Sequence, residues 1–365
     1  MKKQLLSTSA IALGVAMAAP ASAQEWDVSW GGFAGTGFGY ADVGGTLNVG
    51  SDRDGIDVFQ TSEIIFTPSV TLDNGLTFGM NIQLESFGSV GDQIDESYMT
   101  ISGDSLGTIT IGSENSEGYR MMVGAPVVTS MWINSPSVSA FIPFSLALTA
   151  GNGFRTAMIS SYTEVGTSPQ NNDAERISYR TPSFNGFQVG VSYARDGFQD
   201  NFSAATDTNV IGTLNDIFDI GVSYSGSFGG TDLTLAGRWG QGDVTGAAGD
   251  AETWGIGINV GFGGVTVGGS YTENDNPGTA LDVSGWSLGA SFDTAGPWSF
   301  ALSTYQGESD APGSMEEYQA YKLGASRDLG PGVDLDIYAI QLEAQNPAGM
   351  DIDGTVIGTQ INLSF

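Results

Sequence analysis

The sequence predicts an all-β fold, a transmembrane antiparallel β-barrel of about sixteen strands. Three observations carry this expectation. Segments of alternating polarity repeat along the chain, short turns alternate with longer polar links, and the last stretch, Gly354 to Phe365, is a two-faced strand. There Ile357, Ile361, Leu363 and Phe365 share one parity and Gly358, Gln360, Asn362 and Ser364 the other, the period of a strand with one apolar face. An apolar strand closing flush on an aromatic suits a barrel that sets its terminal ring at a membrane interface. A strand of a soluble sandwich would read the same way in isolation, so the rest of the chain decides.

Lys2 and Lys3 precede an apolar run from Leu5 to Met17, then Pro20 and the small triplet Ala21, Ser22, Ala23. Residues 1–23 therefore read as a cleaved secretory signal, leaving residues 24–365 as a single barrel domain. No later segment reaches the roughly 20 apolar residues of a spanning helix; Val138 to Ala150 is broken by Pro143. Any membrane crossing must then use strands. Cysteine and histidine are absent, so an exported chain of this size holds together without disulfides. Their absence also removes Ser-His and Cys-His nucleophiles and histidine metal sites, and no enzyme is expected. Charged residues are 14% of the chain, against about 25% in soluble domains. Their formal net charge is −30, more negative still without Lys2 and Lys3. Cations suit such a chain as partners; nucleic acid and anionic ligands do not.

In chain order, Ser29 to Tyr40 reads as a Gly-rich opening strand, and Ala41 to Val58 as a loop carrying Asp42, Asp52, Asp54 and Asp57 around Arg53. From Phe59 a hairpin begins. Ile64, Phe66 and Val70 share one parity; after the turn dipeptide Asn74-Gly75, Leu76, Phe78, Met80, Ile82 and Leu84 share one. Gly103 to Gly107 joins Asp95-to-Ser102 with Thr108-to-Ser113, and Asn185-Gly186 joins Ala174-to-Phe184 with Phe187-to-Ala194. Gly229-Gly230, Gly263-Gly264, Asp293 to Pro297 and Asp328 to Gly332 mark further turns. Between hairpins lie polar links at Asp196 to Asp216, Gly242 to Ala251, Glu273 to Leu281, Gly307 to Met315 and Ala344 to Asp353. An opening strand, seven hairpins and a closing strand make about sixteen, an even count that leaves both ends on the turn side. Aromatics gather beside the turns (Phe78, Phe187, Phe228, Phe262, Trp298, Phe365) and towards the loops (Tyr193, Trp239, Trp254, Tyr271, Trp286). Strand propensity explains any one of them, but joint placement at both ends fits two interfacial girdles.

One link breaks the size rule. Residues 114–173 hold no strand-turn-strand unit, yet Met121, Met122, Trp132, Ile133, Phe141, Ile142, Phe144 and Leu146 are too apolar to sit loose in water. The segment should pack on the unfilled inside of the barrel. Here the sequence resembles the general diffusion porins of Gram-negative outer membranes, the alphaproteobacterial, Rhodobacter-like type above all. The likeness rests on E-I-I-F-T-P-S-V-T-L-D-N-G-L-T-F-G-M-N-I-Q-L-E-S from Glu63 to Ser86, S-Y-M-T-I-S-G-D-S-L-G-T-I-T-I-G from Ser97 to Gly112, and the strand ending in Phe365. It implies a homotrimer of sixteen-stranded barrels amid outer-membrane lipid and lipopolysaccharide, with the third external loop, starting near Glu114, folded into the lumen as a constriction. Such porins set loop acids against basic groups on the facing wall, whereas strands two and three here offer Glu63, Gln83 and Glu85.

The expected pore lining is thus Glu63, Glu85, Glu114, Glu117, Asp173, Arg176, Arg180, Arg238 and Lys322, with Phe365 closing the barrel. Arg176 and Arg180 share the polar parity with Ser178 and should point into the bore, where Glu114, Glu117 and Asp173 are the nearest carboxylates in sequence. For Arg238 and Lys322, neutralising neighbouring acids is the plainer account. The resulting expectation is a passive, cation-preferring outer-membrane channel for small hydrophilic solutes. The alternatives are a substrate-specific channel, a barrel enzyme, which the missing histidine disfavours, and a secreted β-rich adhesin. No cofactor is expected. Calcium on Asp351-Ile352-Asp353-Gly354 or Asn274-Asp275-Asn276 is conceivable from the oxygen density there, although a solvated acidic turn explains each.

Overall fold

The structure, a computed structural model, describes residues 25–85, 94–148, 173–197, 214–244, 246, 249–275, 282–311 and 314–365. The proposed signal, residues 1–23, lies outside them. Sixteen antiparallel strands close into one barrel in which each neighbours the next in sequence and β1 pairs with β16. They are β1 Asp27–Gly44, β2 Gly55–Thr71, β3 Thr77–Glu85, β4 Ile94–Gly103, β5 Gly107–Ser113, β6 Glu175–Arg180, β7 Phe187–Asp196 and β8 Leu214–Phe228. The second half comprises β9 Thr231–Val244, β10 Asp250–Phe262, β11 Val265–Asp275, β12 Asp282–Asp293, β13 Trp298–Ala311, β14 Ser314–Gly330, β15 Val333–Gln345 and β16 Asp351–Ser364. No helix among the described residues is long and apolar enough to cross a membrane.

Turn chemistry follows the residues. Gly229-Gly230 and Gly263-Gly264 have both central φ angles positive, and so has Asn185-Gly186, as two-residue hairpin turns require. The Asn74-Gly75 turn is wider than expected. Only Gly75 is positive there, and Leu72 N donates to Leu76 O at 2.8 Å around it. Strand β6 also stops at Arg180, short of Phe184, because Pro182 has no N–H to offer the ladder. Phe184 and Phe187 then close the turn by themselves.

The larger difference is at the loop ends. The links expected at Ala41 to Val58, Gly242 to Ala251 and Gly307 to Met315 are in part strand: β1 runs to Gly44, β9 to Val244 and β13 to Ala311. Connections therefore do not sort strictly into two sizes. The cause is visible on β15 and β16. Near the turns the outer face is apolar (Ile337, Ile361, Leu363) and the inner face polar (Asp336, Gln360). Near the loops the wall is reversed: Ile340, Leu342, Ile352 and Val356 face inward, each no more than 1% exposed, while Gln341, Glu343, Asp353 and Thr355 face out. Beyond the lipid a strand can be wet outside and dry inside, provided something apolar fills the bore. Aromatics at the lower edge of this wet zone form a belt: Trp239 is paired across strands with Trp254, Trp254 touches Tyr271 with rings 5.3 Å apart, and Tyr271 is paired with Trp286.

Candidate pore-lining site

What fills the bore is the segment after β5, of which residues 114–148 and 173–174 are described. Ser116 caps a single helical turn, α1 Glu117–Arg120, its Oγ accepting from Tyr119 N at 3.3 Å. Glu117 N donates to Ser192 Oγ on β7 at 2.8 Å. Glycines on the polar parity of the wall admit this close approach. A Cβ on Gly221 would meet Glu117 O at 2.8 Å, and one on Gly257 would meet Val123 O at 2.0 Å. Asp219 in turn crowds Gly118, where a Cβ would lie 1.5 Å from Oδ1. The loop then follows the inner wall: Ala125 N donates to Ser287 Oγ on β12 at 3.0 Å, and Ser130 N to Asp336 Oδ2 on β15 at 2.8 Å. Its far part, with Met131, Ile133, Val138, Phe141, Ile142 and Phe144, packs into one core with Tyr318, Tyr338, Ile340, Leu342, Ile352 and Val356 of the wall and with Ala41 and Val43 of β1. That core is the apolar filling that lets the upper wall turn inside out.

Charged groups gather at the root of the loop. Arg180 Nε donates to Glu117 Oε2 at 2.6 Å, and Arg120 holds Glu117 Oε1 at 3.1 Å and Glu114 Oε2 at 3.6 Å. Arg176, 3% exposed, lies among Asp219, Asp173 and Glu114, with Arg238 as its like-charged neighbour. Arg238 itself pairs with Asp219. Asn115 Nδ2 bridges two further carboxylates, reaching Asp173 Oδ1 at 2.7 Å and Glu96 Oε1 at 3.0 Å. Gln83 Nε2 donates to the other oxygen of Glu96 at 2.6 Å. Along this stretch each guanidinium lies among carboxylates, so positive charge is not in excess.

The sector on β2 to β4, on the other side of β5, differs. Glu63 on β2 stands directly across from Glu85 on β3, and Asp95 on β4 is the other carboxylate that acts on Glu63. Glu63 is 7% exposed and its Oε1 has no hydrogen-bond partner. No Lys or Arg occurs on β2, β3 or β4.

Of the expected lining residues, Glu114, Glu117, Asp173, Arg176 and Arg180 are brought together, and Glu63 and Glu85 share the acidic sector. Arg238 is held by Asp219 of the wall. Lys322 is remote from that cluster, its Nζ donating to Met131 O at 2.6 Å under the far end of the loop. Sequence reasoning passed over Arg120, Glu96, Asn115, Asp219 and Asp336. Glu96 and Asp219 lie on the inward parity of their strands and could have been read from it; Arg120 and Asn115 sit in an irregular loop that gives no such rule. Phe365 exchanges both main-chain hydrogen bonds with Gly32 on β1, at 3.0 and 3.1 Å. At the candidate calcium sites, Asp351 Oδ1 already accepts from Thr46 N and Oγ1, and Asn276 lies outside the described residues. Among those residues no three acidic side chains converge to hold a metal ion.

Comparison with known proteins agrees with this architecture. The sequence profile of Gram-negative porins matches residues 7–346. Among solved structures, the anion-selective porin from Comamonas acidovorans is similar with a TM-score of 0.63 at 20% identity, covering 93% of this chain and 100% of its own. The outer membrane channel DcaP of Acinetobacter baumannii gives 0.63 at 13% identity, covering 96% and 100%. In-vitro folded OmpT of Vibrio cholerae, in trimer form, gives 0.60 at 11%, covering 93% and 99%. At these identities the solved structures speak for the fold alone. Among curated proteins none matches. The family profile spans nearly the whole sequence and the barrel has the sixteen strands it calls for, so this chain belongs to the Gram-negative porins, outer-membrane channels for passive diffusion.

Proposed function

We propose that this porin passes small hydrophilic solutes and prefers cations. The observation that carries the preference is the uneven charge around the bore. Every basic group at the root of the loop lies against carboxylates, as Arg120 and Arg180 do with Glu117 and Arg238 with Asp219, so little positive potential is left over. Glu63, Glu85 and Asp95 stand beyond β5 on strands that carry no basic residue. A wide polar bore selects by side-chain charge and minimum radius without a binding step, and here the surplus charge is negative. The similar barrel from Comamonas acidovorans is anion-selective by name, so the fold by itself does not dictate a cation preference. Reversal potentials in a KCl gradient test the proposal, and chloride preference at low salt would reject it.

We also propose a homotrimer. OmpT of Vibrio cholerae, similar in fold, has a trimer form, and on this chain Trp30, Phe38, Tyr40, Ile56 and Val58 leave an apolar outer face on β1 and β2. Crosslinking in native membranes that stops at monomer would refute it.

A further inference from the structure

Between the infolded loop and strands β12 and β13 there is a cavity of about 180 Å³, lined by Met122, Val127, Trp132 and Ile133 of the loop and by Ser303 and Tyr305 of the wall. We propose that it is a binding subsite for a small neutral aromatic solute, one ring wide and with a single hydrogen-bonding edge, so that the channel retains such molecules in passing. The inference rests on the bore being an open channel and adds a preference that charge alone does not give.

Size and lining set the class. An apolar cavity of about 150 Å³ stays dry and takes benzene, so one substituted ring fits the space here. The larger part of the walls is hydrocarbon, thioether and aromatic ring, with polar edges at Asn134, Ser287 and Ser303. A sugar would bring several hydroxyls into them with few partners, and unpaired polar groups are costly to bury.

Two residues point to a ligand in particular. Trp132 is 44% exposed, although Met131 and Ile133 on either side of it are at most 4% exposed. The loop thus turns its largest apolar ring away from the core and sets it on the rim of the cavity, where it can stack on an aromatic face. Met122 adds a polarisable sulfur suited to the edge of a ring. Ser303, 3% exposed, has a hydroxyl with no hydrogen-bond partner in the protein. A buried hydroxyl is normally satisfied, and rotation about its C–O bond lets it serve either a donor or an acceptor on the edge of a bound ring. Aromatic carboxylates are excluded from the class because the acidic sector of the bore repels anions.

Planar-bilayer recording on the full-length protein in KCl, with benzamide titrated into the bath, tests the proposal. Benzamide should interrupt the open current saturably. Trp132→Ala should raise the half-effect concentration about tenfold and Ser303→Ala about threefold, relative to each variant's own open current. Val127→Phe, which fills the cavity from the loop, should abolish the effect, whereas Trp239→Ala, on the outer belt, should leave it as in wild type. The proposal is overturned if benzamide does nothing, if Trp132→Ala and Val127→Phe respond like wild type, or if glucose acts at the same concentrations. Absence of conducting steps in wild type would overturn the channel reading itself, and this inference with it.

Discussion

Arg180 on β6 and Glu117 on α1 meet Nε to Oε2 at 2.6 Å, with the Glu117 side chain 2% exposed and that of Arg180 28%. The bond ties the wall to the loop where the loop enters the bore. Arg180→Gln should have a partial effect, because Arg120 still holds the other carboxylate oxygen. Arg120→Gln with Arg180→Gln should be worse than the sum of the single changes, since a buried carboxylate is then left without a cation. Open-channel noise should rise and cation preference increase. Wild-type noise and reversal potential in the double variant would show that the ion pairs do not anchor the loop.

Ile142 gives a second test, of the apolar anchor at the far end. It is fully buried against Gly354 in the core shared by loop and wall, so Ile142→Ala should cost about 2–5 kcal/mol. Ile357, one residue after the buried Val356, points outward and is 64% exposed; Ile357→Ala should cost much less. Urea midpoints of the folded barrel in detergent compare the two. Equal losses would mean that the loop core contributes little.

Much of this architecture is legible in the sequence. Strand parity and turn residues, Gly-Gly or Asn-Gly at four of the seven hairpins, gave about sixteen strands, because a two-faced strand and a tight turn are local properties. The strand ends near the loops were not legible, because Ile352 and Val356 lie on the opposite parity to Ile357 and Ile361. Such a switch reads as a break in a strand unless one knows that the lumen there is apolar. The site was legible in part. Arg180 and Glu117 could be paired from parity and proximity, whereas Lys322 with Met131 O, or Ser130 N with Asp336, join residues 191 and 206 positions apart. The course of a loop along the wall leaves no periodic trace. It leaves only inward glycines such as Gly221 and Gly257, whose purpose appears once a backbone lies against them.

The acidic sector makes the charge proposal quantitative in direction. Glu85→Gln combined with Asp95→Asn takes two carboxylates from the sector that carries no basic residue and should lower the potassium-to-chloride permeability ratio. The difference should shrink as the Debye length falls from about 10 Å at 0.1 M salt to about 3 Å at 1 M. An unchanged ratio at 0.1 M would place the source of selectivity elsewhere, in the loops at the mouth.

Phe365 offers two separable contributions to barrel closure. Its main chain exchanges hydrogen bonds with Gly32, N to O at 3.1 Å and O from N at 3.0 Å, and its ring is 69% exposed on the outside. Gly32 cannot be replaced to probe this pairing, because a Cβ there would lie 2.3 Å from Glu63 O. The terminus can. Phe365→Ala keeps both main-chain bonds and loses only the ring, whereas removal of Phe365 loses the bonds too, each worth about 0.5–1.5 kcal/mol. The amount of heat-modifiable, membrane-assembled protein should therefore fall most on removal, less for Phe365→Ala, and least for Leu302→Ala, a mid-strand residue that is 61% exposed on the outer face. If Phe365→Ala proves as harmful as removal, the ring and not the seam hydrogen bonds guides assembly. If removal leaves assembly at the wild-type level, Phe365 has no part in closing the barrel.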